Sequence, residues 1–211
     1  MLTKQELRSQ ETKKEIIKAA GQLFASQGFD SVTMREIAKM AGCSHTTIYI
    51  YYKDKEDLLH QLAMPPLQAL NTQMESILQQ IDLSPEERLR TISLEFIRFC
   101  LLHRNIYTTF IGVKASRVDL EESANGINTM RISIFNLLKK ALRTCFAIEN
   151  DEHLLMYSRI YFFNLHGIVN TYTHSEESIV SLMERLLPTF EESLDVLFIG
   201  ISEKIKGVNK N

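Results

Sequence analysis

The sequence predicts an all-α protein in which a small three-helix unit with a helix-turn-helix precedes a larger helical domain. Three observations carry this reading. With 8 glycines and 4 prolines in 211 residues, the chain is short of the residues that punctuate β-structure, and no segment alternates apolar and polar residues as a strand would. Apolar positions recur instead at spacings of three and four, the period of a helix with one buried face. Between Thr33 and Leu59, cap residues and a glycine fall where two short helices, a tight turn and the start of another helix need them.

Taken in order, Thr12 and Glu15 have the spacing of a capping box, and Ile16, Ala20, Leu23 and Phe24 form a stripe that Gly28 ends. This predicts a first helix beginning near Thr12. Thr33 and Glu36 form a second capping box, opening a helix over about 33–41 whose apolar face is Ile37, Ala38 and Ala41. Gly42 can take positive φ and stop that helix. Ser44 then caps a third helix over about 45–51, anchored by Ile48 and Tyr52. That anchoring leaves His45, Thr46, Thr47, Tyr49, Ile50 and Lys53 facing outward. Asp54 caps a fourth helix from about Lys55, which Pro65-Pro66 should break or kink before it resumes to about Gln80. Ser84, Pro85 and Glu87 supply an N-cap, a first-turn proline and a capping-box acid, so a helix runs to about Arg104. Further helices are expected near 105–113, over about 120–146, from a cap at Asp151 to about Tyr172, and from Ser175 to about Ile205. Pro188 either kinks the last of these or starts a separate terminal helix.

The segment from about residue 12 to 60 resembles the TetR family of transcriptional regulators. The matching residues are Ile16 to Ala20, Leu23 to Ala25, Gln27 to Phe29, Thr33 to Gly42, Thr47 to Tyr49, Tyr51-Tyr52 and Lys55 to Leu59. The resemblance implies a DNA-binding domain over 1–60 and a helical effector-binding and dimerisation domain over 61–211. Carried over residue by residue, it implies that Thr33, Ser44, Thr47, Tyr51 and Lys55 meet phosphates of a double-stranded operator. Arg35, His45, Thr46, Tyr49 and Ile50 then face base edges. The chain departs from the family pattern at His45, where Lys or Arg is common, and at Ile50, where a polar residue is frequent. Ile50 cannot hydrogen-bond, but it can pack on a thymine methyl, which predicts A·T pairs beneath it. The resemblance implies a repressor released by a ligand. The competing reading is a helical interaction protein that has kept the fold and lost specific DNA binding.

Charge is distributed to suit the first reading. The whole chain has a net charge of −2. Residues 1–62 hold nine Lys/Arg against eight Asp/Glu, and residues 63–211 hold fifteen against eighteen. Affinity for DNA must therefore come from a few placed cations, Lys13, Lys14, Lys18, Arg35, Lys53 and Lys55, rather than from a basic surface. No apolar run reaches the ~20 residues of a membrane span, and the polar first residues carry no signal-peptide core. A cytoplasmic location is expected. Cys43, Cys100 and Cys145 are scattered, so they read as small hydrophobes, with Cys43 in the turn the best redox candidate.

Thirteen of the eighteen aromatics lie after residue 83, many at helical spacing. Aromatic stripes usually make core, but polar residues interrupt these. A buried polar group without a partner costs about 1–3 kcal/mol, so each needs a reason. The resemblance implies an apolar effector cavity there, and the candidates to line it are Phe96, Phe99, His103, Phe110, Phe135, Asn136, Phe162 and His166. The implied effector is small and largely apolar. Lys139, Lys140 and Arg143 leave an acyl or phosphate-bearing ligand open. The penultimate helical segment is apolar nearly all round, and the last carries a row of apolar residues that can complete a four-helix interface, which predicts a homodimer through residues about 151–200, with Leu194 among the interface residues. Enzyme classes are poorly supported. There is no Gly-rich phosphate loop, no GxSxG and no HExxH, and the histidines show no paired ligand spacing. No cofactor or metal is called for.

Overall fold

The computed structural model describes residues 3–104, 107 and 126–208. Among them are eight helices and no strand: α1 Lys4–Gln27, α2 Met34–Met40, α3 His45–Tyr51, α4 Lys55–Gln79, α5 Pro85–Leu102, α6 Gly126–Phe146, α7 Asp151–Tyr172 and α8 Ile179–Val208. The helix expected near 105–113, and the start of the one expected over 120–146, lie outside the described residues. So does Phe110. No helix among the described residues is long and apolar enough to cross a membrane.

The chain divides into two compact units, and the division falls at Pro66, inside α4. In the first unit, α1, α2, α3 and the start of α4 enclose Ile16, Ala20, Phe24, Ile37, Ile48 and Leu58. The Phe24 and Phe29 rings meet at 5.1 Å, so the chain leaving α1 is folded back onto its own helix. Gly28 makes that exit with φ at +80°, a conformation a β-carbon would oppose.

In the second unit, α5 packs against α6, α7 and α8. Leu89, Ile92, Ile97 and Leu101 from α5 are buried with Leu138, Leu142, Leu165, Leu182, Phe190 and Leu194. The Tyr161 hydroxyl is fully buried and shares a 2.5 Å hydrogen bond with Ser93 Oγ. Burial pushes the Tyr161 pKa far up, against a smaller opposing effect of Ser93, so the pair is neutral and satisfied.

Several boundaries depart from the sequence-based expectation. Helix α1 starts eight residues before Thr12, because Thr3 and Glu6 close a capping box of their own. Residues 4–11 are mostly good helix formers, and once a helix is nucleated each further residue adds a bond. Thr12 becomes an interior residue whose hydroxyl donates to the Arg8 carbonyl at 2.9 Å. Asn150, not Asp151, caps α7, its side-chain oxygen accepting from the His153 N–H at 2.8 Å. Helix α8 starts at Ile179 rather than Ser175, and Ser178 Oγ accepts from the Ser181 N–H at 3.1 Å.

The prolines do not interrupt their helices. Helix α4 runs through Pro65-Pro66 and α8 through Pro188. A proline leaves the carbonyl four residues back without its helical donor. Burial on both sides of the site outweighs this: Leu58, Leu59 and Ala63 precede the pair, and Leu67, Leu70 and Met74 follow it, all under 6% exposed.

Candidate nucleic-acid interface and effector site

The helix-turn-helix is fixed by caps. Thr33 Oγ1 accepts from the Glu36 N–H at 3.3 Å, and the Glu36 carboxylate accepts from the Thr33 N–H at 2.8 Å and its hydroxyl at 2.7 Å. Those bonds, the hydroxyl's foremost, hold the Glu36 pKa below its usual value. The turn follows at Gly42 with φ +70°, and the Cys43 N–H returns to the Ala38 carbonyl at 3.0 Å. Ser44 caps α3, accepting from the Thr47 N–H at 3.0 Å, and its hydroxyl also meets those of Thr46 at 2.8 Å and Thr47 at 2.6 Å. Three hydroxyls thus cluster at the start of α3.

Ile48 is fully buried and Tyr52 nearly so, which sets the rotation of α3 about its axis. The opposite face is presented outward. Thr33, Arg35, Ser44, His45 and Thr46 are exposed, and Tyr49 and Ile50 are 49% and 77% exposed. His45 and Tyr49 meet edge to face at 5.2 Å. Thr47, Tyr51 and Lys55 are half-buried. The Tyr51 ring lies 5.8 Å from Lys13 Nζ. Lys55 Nζ donates to the Phe29 carbonyl at 2.8 Å and sits 4.7 Å from the centre of the Phe29 ring. Seven of the ten residues carried over from the family pattern therefore lie on α3 or at its N-cap, with Thr33 and Arg35 at the start of α2 and Lys55 at the start of α4. Ile50, at 77% exposed, buries little of its side chain within the unit.

Cys43 does not have the lowered thiol a redox sensor needs. Burial raises it, as it does Cys145, which is pushed up to about 11. Among the described residues no cluster of three His, Cys, Asp or Glu is placed to hold a metal.

In the second unit, four of the eight effector candidates converge. The Phe162 ring is 6.2 Å from Phe96, 5.6 Å from Phe135 and 4.8 Å from His166. Phe99 pairs separately with His103 at 4.6 Å. Asn136 does not join them. It is exposed, because the neighbouring Phe135 takes the buried face of α6. The sequence reading missed Arg131, one turn before Phe135 on that same buried face. Arg131 is 5% exposed and donates to Asn128 Oδ1 at 2.9 Å. Burial lowers its pKa to about 10, so it stays charged at neutral pH. Burial, then the charge of Arg131, lowers the His166 pKa. The signal that could have found Arg131 was its spacing of four from Phe135.

The outer surface of α7 and α8 carries exposed apolar residues among its polar ones. Met156, Ile160, Phe163, Val196 and Ile199 are between 43% and 67% exposed. Of these, Ile160 and Val196 line an open groove of about 830 Å³, together with Asn164 and Pro188. Leu194 is not on this surface. It is fully buried within the subunit, since α8 turns Leu182, Leu186, Phe190, Leu194 and Phe198 inward at spacings of four.

Residues 16–62 match the model of the bacterial regulatory proteins of the tetR family. Over 113 residues the chain is 29% identical to the fatty acid metabolism regulator protein of Bacillus subtilis (strain 168), covering 54% of this chain and 58% of that one. Over 60 residues it is 45% identical to the HTH-type transcriptional regulator AcrR of Shigella flexneri, covering 28% and 27%. These alignments span less than two thirds of either relative. Among solved structures, the transcriptional regulator FadR from Bacillus subtilis in complex with stearoyl-CoA superposes with a TM-score of 0.62 at 22% identity, covering 86% of this chain and 98% of that one. At that identity the likeness establishes the fold.

Proposed function

The chain belongs to the TetR family of bacterial regulatory proteins, and from that premise we propose that it is a transcriptional repressor that binds a palindromic operator as a homodimer and leaves it when a small effector binds. DNA reading is assigned to residues 1–60, and effector binding and dimerisation to residues 61–211. The observation that carries the reading is the outward face of α3. Ile48 locks the helix to its unit while His45, Thr46, Tyr49 and Ile50 stand free, which is how helix-turn-helix proteins offer side chains to the major groove. Thr33, Ser44, Thr47, Tyr51 and Lys55 then serve as phosphate contacts that fix register.

For the effector, the reading is a ligand with a long apolar chain and an acidic or thioester head, of fatty-acid or acyl-thioester type. The likeness to a fatty acid metabolism regulator and to a regulator holding stearoyl-CoA supports it. So does the buried positive charge of Arg131 beside the Phe96, Phe135, Phe162 and His166 cluster. Such a ligand releases DNA only if it binds the non-operator conformation more tightly. The homodimer forms through α7 and α8.

The test has two arms. Selection of bound duplexes from a random pool should enrich an inverted repeat with half-sites ~34–36 Å apart or a multiple of that, with A·T pairs under Ile50. Enrichment of no sequence would overturn the operator reading. Titrating acyl thioesters of increasing chain length into the selected complex should then release DNA, with Arg131→Ala requiring more ligand. Release that is indifferent to chain length would remove the acyl assignment and leave the DNA reading intact.

A further inference from the structure

Helix α8 places Glu192, Val196, Gly200 and Lys204 along the groove it forms with α7. These positions are four apart, so they lie on one ridge ~18 Å long at 1.5 Å per residue. Along the helix the ridge reads acid, bulky, small, base. Reversed, it reads base, small, bulky, acid. Laid antiparallel on a second copy of itself, it sets acid against base and bulk against absence at every step. An interface between identical copies about a twofold axis has to be self-complementary in this way.

Each position is otherwise unexplained. Val196 is 63% exposed and Ile199 beside it 64%. A glycine inside a helix is unfavourable relative to alanine, and a β-carbon built on Gly200 would meet nothing within 4 Å in the subunit. Nothing in the subunit therefore calls for a glycine. Other charges of α8 are used locally: Asp195 pairs with Arg90, and Glu203 with Lys206. Glu192 and Lys204 are exposed, and among the described residues neither has an ion-pair partner in its own subunit. In the same groove Asn164 donates to Ser193 Oγ at 3.1 Å while its own Oδ1 is buried with no donor. A dry apolar partner alone would leave that oxygen unsatisfied. A partner carrying hydroxyl or ammonium donors would not.

We propose that α8 crosses the α8 of a second copy antiparallel, with the twofold axis level with residue 198, so that Glu192 of each copy meets Lys204 of the other and Val196 seats over Gly200 of the other. The inference rests on the homodimer reading above and names its register. Each dimer then contains the charge pair twice, so one substitution changes two contacts.

The experiment is sedimentation equilibrium on the full chain, comparing wild type with E192K, K204E, the double variant E192K/K204E and an equimolar mixture of the two single variants. Both side chains are exposed, so the subunit fold should tolerate the exchange, and circular dichroism checks this. Each single variant places like charges at both contacts and should weaken dimerisation roughly tenfold or more. The double variant restores opposite charges and should recover to within a few-fold of wild type. In the mixture, one copy carries two lysines and the other two glutamates, so the mixed dimer should form in preference to either homodimer. Single variants that dimerise like wild type, or a double variant no better than the singles, would overturn this register. I160E separates that failure from failure of the dimer reading. If I160E gives monomers while the charge variants do not, the α7–α8 face stands and the register falls. A wild type that is monomeric at operator-binding concentrations overturns both.

Discussion

Lys55 reaches back from the first turn of α4 to the chain leaving α1, where its ammonium group donates to the Phe29 and Asp30 carbonyls at 2.8 and 3.4 Å over the Phe29 ring. The family pattern assigns this residue to a phosphate. Two of its three N–H donors are used inside the unit, and the third remains for the backbone of DNA. Lys55→Ala should therefore have two separable effects. Losing the clamp should destabilise the fold by about 1–2 kcal/mol, seen as a lower urea midpoint. Losing the phosphate contact should flatten the plot of log affinity against log salt by about one unit per subunit. A lowered midpoint with an unchanged slope would leave Lys55 a structural residue only. At this scale the outward face of α3 was legible in the sequence, because one buried residue, Ile48, dictates which neighbours on a short helix point away. The aromatic cluster of the second unit was less so. Helical spacing puts Arg131, Phe135 and Leu138 on one face of α6, but it does not say whether another helix covers that face. The same limit misplaced Leu194. Its spacing fits an apolar stripe, and only packing reveals that the stripe is the subunit core while Val196 and Ile199 form the outer surface.

At the scale of the element, α2 and α3 were predicted to within a residue because both ends of each are fixed by local bonds: Thr33 with Glu36, Gly42 at positive φ, and Ser44 with Thr47. Long helices were less determined. Helix α1 has two capping boxes in its sequence, and only the upstream one, at Thr3, is used. The prolines of α4 signal a break by local rules, and the apolar residues around them carry the helix through. That outcome has a cost. The carbonyls of Gln61 and Leu62, four residues before Pro65 and Pro66, lose their helical donors, so helical hydrogen bonding is weakened within α4 just before Pro66, where the first unit gives way to the second. Replacing both prolines with Ala should raise thermal stability. Operator affinity measured with and without effector then tests whether the weak point matters for regulation. If it does, the effector should shift affinity by a smaller factor in the variant. An identical factor in both proteins would confine the prolines to a structural role.

For the whole molecule, the decisive quantity is how many phosphates it neutralises, because net charge offers no help. The chain carries −2 overall, so its net charge supplies no attraction to DNA, and the proposed binding depends on placed cations within a Debye length of ~10 Å at 0.1 M salt. Lys13 is held over the Tyr51 ring. Arg35 is kept for a base edge, whereas Lys18 and Lys53 are exposed, and Lys55 keeps one donor available. Counting these last three gives about three phosphates for one reading head and about six for a dimer. Each contributes about 0.9 to the slope of log affinity against log salt. A dimer with both heads engaged should therefore show a slope near −5, and lose about a thousandfold in affinity between 50 and 200 mM salt. A single head should show a slope near −3 and lose only some tens of fold over that range. Gel shifts on the selected operator across four or five salt concentrations measure this directly. A slope near −3 would mean that one head binds at a time, against the twofold reading of the operator. A slope near zero on every duplex tried would favour the other reading of the sequence, a helical interaction protein that retains the fold without binding DNA. The slope near −5 requires two heads held together by an interface outside the DNA. E192K, which touches no DNA contact, should then move it toward −3 at protein concentrations where the wild type stays dimeric.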